Sequence, residues 1–313
     1  MKVLFYCLSG LIFLAAVIFA VLAAVAVKTF GKAPTYDAKK ALRDRPDLVA
    51  KIEAGEKFLE GRSRETVEIR SRDGLALRGF YFPCDTASDR FIICFHGYHS
   101  DALNDFSTAF SFFNESGFNV LTVCQRSHGL SEGRFLTFGA KERYDVADWC
   151  DYVISRFGSD VKIVIDGVSM GSATVTMAAD RSVGLPENVR AVVADCGYTT
   201  PWDEICHVAK TDYHLPAFPV VNLLRLVTIA VCGFDIRGCS SVEAVKNTDL
   251  PIFIAHGKED NFVPYRMGEE IDGACVSDHM FYSVEGAGHG LAFLVDTEGY
   301  KNAVTGFLER YIG

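Results

Sequence analysis

A mainly parallel α/β fold, one central sheet with helices on both faces, is what three features of this sequence predict. Short apolar runs recur at Phe91–Phe95, Asn119–Cys124, Val161–Ile165, Ala191–Ala194, Ile252–Ala255 and Met280–Val284, and longer stretches suited to helices lie between them. That alternation marks βαβ units, whose strands are covered on both faces and so read as continuous apolar runs. Upstream, Thr66–Ile69 and Leu75–Phe82 flank Arg72-Asp73-Gly74, which predicts an antiparallel hairpin opening the sheet. Finally, four of the runs pass directly into loops that carry glycine together with histidine, serine or aspartate.

The chain begins with Val3–Val27, which holds no charged residue. As a helix it would extend about 37 Å, enough to cross a hydrocarbon core about 30 Å thick. Residues 1–30 are therefore expected to be a transmembrane helix that anchors the chain in a membrane. A secretory signal cleaved near Ala24-Val25-Ala26, leaving a secreted protein, is the alternative. Residues 31–62 follow as a helical linker, because Leu42, Leu48, Val49, Ile52, Phe58 and Leu59 form an apolar stripe among Lys, Asp and Glu. The remainder, 63–313, is expected to form the α/β domain, with further helices at Lys141–Arg156 and Glu298–Tyr311. Between Ala194 and Leu250 the strand rhythm stops for about fifty residues, far beyond an ordinary connection. Pro201, Pro216 and Pro219 punctuate this interval and Val220–Val231 is apolar, which predicts a helical cap insertion at about 198–247.

Charge and cysteine usage narrow the function classes. The formal net charge of −9 argues against nucleic acid as a partner. Lys28, Lys32, Lys39, Lys40, Arg43 and Arg45 follow the apolar segment, against Lys2 before it, and this asymmetry favours a cytoplasmic C-terminal domain. Apart from Cys7, nine cysteines remain, an odd number without framework spacing, as expected for reduced thiols. The sequence contains neither H-E-x-x-H nor C-x-x-C, nor a phosphate-cradling glycine loop, so no metal and no cofactor is expected.

The chemistry concentrates at Gly167-Val168-Ser169-Met170-Gly171, directly after Val161–Ile165 and directly before the helix-like Ser172–Asp180. A serine on such a strand-to-helix bend projects its hydroxyl clear of the sheet edge, and the flanking glycines keep side chains out of the crowded turn. The pentapeptide alone would arise by chance in roughly one chain in ten of this length. Its context is what matters: Leu250–Ala255 runs into His256-Gly257-Lys258-Glu259-Asp260, and Met280–Val284 runs into Gly286-Ala287-Gly288-His289-Gly290. Asp260 and His289 thus fall where an acid and a base would share a sheet edge with the nucleophile Ser169. Phe91–Phe95 runs into His96-Gly97-Tyr98, which places the Tyr98 and Met170 backbone N–H groups to receive an oxyanion.

On these residues the chain resembles the α/β-hydrolase family, and within it the serine esterases, lysophospholipase-like enzymes and serine peptidase-like members. The likeness runs from about Glu65 to the C-terminus, and Ser169, Asp260 and His289 match the family's catalytic positions. Arg126-Ser127-His128-Gly129-Leu130-Ser131-Glu132-Gly133 resembles another family turn, with Gln125 standing where many relatives carry an acidic residue. The resemblance implies a serine hydrolase that cleaves small-molecule acyl esters through an acyl-enzyme. The apolar cap and the membrane helix point toward lipid-like substrates. A peptidase or amidase of the same fold, or a non-enzymatic interaction protein that retains the fold, are the alternatives.

Neighbouring residues offer competing readings. Glu259 and Asp195 are rivals for the acid, although the spacing His256-Gly257-x-x-Asp260-x-x-Val263-Pro264 favours Asp260. His96 is read as ordering the oxyanion loop through its ring, His128 as structural and Cys196 as a packed thiol.

Overall fold

The computed structural model describes residues 2–32 and 35–312. Eight strands form one sheet: β1 (Glu65–Arg70), β2 (Ala76–Phe82), β3 (Arg90–Phe95), β4 (Asn119–Val123), β5 (Lys162–Val168), β6 (Val189–Asp195), β7 (Ile252–Gly257) and β8 (His279–Val284), in the order β1-β2-β4-β3-β5-β6-β7-β8. The hairpin β1–β2 and the β2–β4 pair are antiparallel, and every later pairing is parallel. The chain steps outward from β3 to β4 and then crosses back to β5, so the winding direction reverses between β3 and β5. In open α/β sheets such a reversal opens a crevice at the carboxyl ends of the two strands.

Alternation along each strand divides the interior in two. Phe91, Ile93 and Phe95 of β3, with Ile163 and Ile165 of β5, pack on one face, and Ile92, Cys94 and Val164 pack on the other. With a period of two, a run that is apolar at every position must be covered twice. Some of the helices supply that cover; in chain order the helices are α1 (Lys2–Phe30), α2 (Ala38–Ala41), α3 (Pro46–Glu60), α4 (Phe110–Glu115), α5 (Glu142–Phe157), α6 (Met170–Ala178), α7 (Pro201–Thr211), α8 (Asn222–Val227), α9 (Ser241–Val245), α10 (Tyr265–Ala274), α11 (Ala292–Val295) and α12 (Thr297–Ile312). Trp149 and Val153 of α5 and Val175 of α6 close the first face, while Phe110 and Phe113 of α4 and Val304 and Phe307 of α12 close the second.

The expected helices therefore appear with ends shifted by one or two residues, as helix ends commonly are. In the linker region, α3 is docked by Leu48, Ile52 and Leu59, all buried, and Leu48 and Ile52 pack with Leu294. The long interval after β6 holds α7, α8 and α9, with π-helical turns at Ala217–Val221 and Thr228–Cys232 on either side of α8. A third apolar cluster joins this cap to the domain and to the end of α1: Ala26 and Phe30 pack with Phe138, Met170, Val221, Leu224 and Phe234.

Candidate active site

β5 ends at Val168, and Ser169 caps the start of α6 with φ +57 and ψ −117, a backbone region that a side-chain-bearing residue enters only where its surroundings impose it. The imposed feature is the tight turn between strand and helix. Ser169 N–H donates to the Asp195 carbonyl at 2.8 Å, tying the bend to the end of β6.

The three residues singled out from separate parts of the chain meet here. His289 Nε2 lies 2.8 Å from Ser169 Oγ, and His289 Nδ1 lies 2.7 Å from Asp260 Oδ2. An ionised carboxylate only accepts, so Nδ1 carries the ring proton and Nε2 is left to accept from the serine hydroxyl. Asp260 is held by more than His289: its Oδ1 accepts from Phe262 N–H at 3.0 Å and Val263 N–H at 2.9 Å. Burial pushes this carboxyl up, but the hydrogen bonds from His256 and His289 outweigh burial and hold it down at about 2. Asp260 is thus ionised throughout the ordinary pH range.

The rivals are placed elsewhere. Glu259 is exposed. Asp195 is buried at the end of β6, and burial raises its carboxyl to about 6 while His256 and His289 pull the other way. Cys196 has a sulfur within 4.8 Å of an Asp260 oxygen and a His289 ring nitrogen, a spacing that could suit a metal ion. Both ring nitrogens of His289 are already engaged with Ser169 and Asp260, so a metal there would displace one of those bonds. Burial also pushes the Cys196 thiol well above its usual range, which keeps it protonated and a poor nucleophile.

The loop after β3 faces the serine. His96 is fully buried; its Nδ1 donates to the Gly97 carbonyl at 2.8 Å, and its Nε2 accepts from Gln125 N–H at 3.2 Å. The bond accepted at Nε2 requires the neutral ring, and burial lowers its titration to about 4. The Gln125 side chain donates to the His96 carbonyl, a bond that an ionised acidic residue at this position could not make. Asp105 accepts from Gly97 N–H at 2.6 Å and from the Ser100 hydroxyl at 2.5 Å, so the loop is fixed from below. Among the described residues, neither the Tyr98 nor the Met170 N–H donates to another backbone group. An arrangement of hydroxyl, imidazole and carboxylate beside two such N–H groups is competent for acyl transfer.

Residues 91–214 match the family model described as the alpha/beta hydrolase fold. The chain has the alpha/beta hydrolase fold. Among solved structures, the Pyrococcus furiosus esterase Pf2001 superposes with a TM-score of 0.68 at 21% identity, covering 91% of this chain and 99% of the esterase. The Pyrococcus horikoshii acylaminoacyl peptidase superposes with a TM-score of 0.59 at 14% identity over 82% of this chain and 43% of the peptidase. By sequence, the chain is 23% identical over 242 residues to the uncharacterized protein YqkD of Bacillus subtilis, covering 77% of this chain and 78% of YqkD. The uncharacterized protein YfhR of Escherichia coli K12 is 25% identical over 215 residues, 67% of each chain.

Within this hydrolase fold the glycines of the serine turn have a steric reason. A Cβ on Gly171 would stand 1.8 Å from the Phe95 carbonyl oxygen and 2.5 Å from its carbon, both belonging to the backbone of β3. Strand backbone cannot yield as a flexible side chain would. Gly171→Ala should cost about 3 kcal/mol, read as a lower urea midpoint; a midpoint equal to that of the parent would show that helix and strand are not in contact.

Several contributors escaped the reading of the sequence. His256 is fully buried, donates from Nε2 to the Val263 carbonyl at 3.0 Å and lies 3.4 Å from Asp260 Oδ2, bracing the acid loop. Its position four residues before Asp260 was a usable signal. Asp105 beneath the oxyanion loop and Phe262, whose ring centroid is 5.0 Å from that of His289, left no comparable mark.

Proposed function

We propose that this protein is a membrane-anchored serine hydrolase that cleaves carboxylic esters of lipid-like substrates. The observation carrying the proposal is the continuous relay from Ser169 through His289 to Asp260. In it, His289 Nε2 takes the Ser169 proton as Oγ attacks the acyl carbonyl, and Asp260 holds the ring and stabilises its cation. The Tyr98 and Met170 N–H groups receive the oxyanion. Collapse expels the alcohol, which takes the proton from His289, and water repeats the sequence to release the acid and restore Ser169.

The membrane part of the proposal is supported by α1. Phe5–Phe30 is long and apolar enough to span a bilayer. Ala26 and Phe30 are fully buried against the domain, which favours retention of the helix over cleavage at Ala24-Val25-Ala26. Residues 1–30 would serve as the anchor, 31–62 as the linker and 63–313 as the hydrolase domain, with the cap at about 198–247. The basic residues after the helix and the free thiols favour a cytoplasmic domain.

The substrate class is supported by the cap, which leaves Leu215, Phe218, Leu223, Leu226 and Ile229 exposed beside the docked end of α1. Bilayer or micelle surface is a favourable environment for such residues. Exchange of Phe218 and Leu226 together for serine should lower turnover of long-chain monoacylglycerol-like esters in micelles about tenfold. Hydrolysis of a short soluble ester should not change. Equal behaviour of the double variant on both substrates would remove the interfacial role. An acyl-ester series assayed beside aminoacyl amides tests the bond preference, and faster turnover of the amides would replace the esterase reading with a peptidase.

A further inference from the structure

The end of α1 and the residues after it touch the oxyanion loop from two sides. The Tyr98 hydroxyl donates to the Thr29 carbonyl at 2.8 Å, and Tyr36 N–H donates to the His99 carbonyl at 2.6 Å. Helix termini leave their last carbonyls without intrahelical partners. Here the neighbouring Phe30 carbonyl is satisfied by Leu136 N–H at 2.8 Å, and Gly31 pairs with Phe135 in an antiparallel bridge. Phe30 itself is fully buried, its ring 5.5 Å from that of Phe138 and 5.3 Å from that of Phe234. Phe138 in turn lies 5.2 Å from the Tyr98 ring, so packing and hydrogen bonding converge on one loop.

That loop needs an external brace. His99 has φ +52, a conformation disfavoured for any residue with a side chain, and its ring stacks on Tyr98 at 3.7 Å. A strained loop of this kind keeps its shape only where its neighbours over-determine it. Asp105 holds the loop at Gly97 and Ser100, the residues that flank Tyr98 and His99 in the chain. Thr29 and Tyr36 hold Tyr98 and His99.

Resting on the serine-hydrolase reading above, we propose that Thr29 and Tyr36 are positioning residues of the active site. Through Tyr98 and His99 they aim the Tyr98 N–H at the developing oxyanion. The seated end of α1 is then a working part of the catalytic apparatus as well as a tether, and displacement of that helix from its seat lowers turnover.

Two full-length variants test this in detergent solution on a short, freely soluble ester, where tethering to a membrane is irrelevant. Tyr98→Phe keeps the ring and removes the donor to Thr29. Gly31→Ala acts from outside the site, because its Cβ would stand 2.3 Å from the Val27 carbonyl oxygen and must shift the helix end. An oxyanion donor is worth about 100-fold or more in kcat, and partial misalignment should forfeit part of that. The expected result is a fall in kcat of about three- to tenfold for Tyr98→Phe and at least as much for Gly31→Ala. KM should stay within about twofold, because the lost interaction belongs to the transition state, and phosphonate labelling of Ser169 should slow in parallel with kcat.

Parental kcat in both variants, with Ser169 still reactive, would overturn the brace and leave the hydrolase reading intact. Raised KM at unchanged kcat would overturn it too. A parent protein that neither labels at Ser169 nor turns over esters would instead defeat the underlying reading. Should Gly31→Ala fail to fold, Tyr98→Phe decides alone.

Discussion

Ser169→Ala should give a folded protein that hydrolyses acyl esters about a million times more slowly than its parent and no longer takes up a serine-directed phosphonate. The size of the loss follows from the geometry. In the proposed mechanism Ser169 Oγ forms the covalent bond, and His289 Nε2 at 2.8 Å has no other proton to move in the first step. Removing one oxygen therefore removes the whole acyl-enzyme route, leaving only what binding and the N–H groups contribute. The fold should survive, since the turn is set by backbone: the Ser169 N–H bond to Asp195 and the close approach of Gly171 to Phe95. Alanine must still adopt φ +57, so a small loss of stability accompanies the change. Retained turnover or stoichiometric labelling in this variant would place the chemistry on another group.

Asp260→Asn should lower kcat about 10⁴-fold with little effect on folding. An amide at 260 can still accept from Phe262 and Val263 N–H through Oδ1, which preserves the loop. What it loses is the charge opposite His289. An amide nitrogen facing Nδ1 favours the other tautomer, in which Nε2 bears the proton and cannot accept one from serine. The carboxylate also carries an acid signature. Its folded titration at about 2 lies below the ordinary aspartate value of 3.8, so the stability it contributes is present above pH 3.8. It is lost as pH falls through about 2, and amounts to about 2 kcal/mol. Urea unfolding between pH 4 and 2 should show this part of the acid destabilisation in the parent and not in the asparagine variant. A variant with full turnover, or one with the parent's acid slope, would contradict the assigned role of Asp260.

The sheet was legible in the sequence because parallel strands covered on both faces cannot hide their composition. Phe91–Phe95 and Val161–Ile165 are apolar at nearly every position, and each alternates between the two cores. The turn at Ser169 was equally legible, since close backbone contact at Gly171 admits no side chain and so leaves glycine in the sequence. The supports of the site were not. His256, Asp105, Gln125 and Thr29 act through one or two hydrogen bonds to loops, and such bonds impose no periodicity and little constraint on composition. The end of α1 was hidden for a related reason: within a run long and apolar enough for a bilayer, nothing distinguishes Ala26 and Phe30, which face protein, from residues that face outward.

By itself, then, the order of residues determined the alternating architecture, the long apolar helix and the placing of Ser169, Asp260 and His289 on loops that follow strands. Each of these depends on local composition or on backbone sterics that act within a few residues. Only the tertiary structure decided that Ser169, His289 and Asp260 meet at 2.8 and 2.7 Å, and that the last turn of α1 closes against the loop carrying Tyr98. Those distances are set by how β3, β5, β6, β7 and β8 pair side by side and by how the end of α1 seats against the cap. Strand pairing and helix seating are properties of the packed whole that no stretch of chain encodes alone.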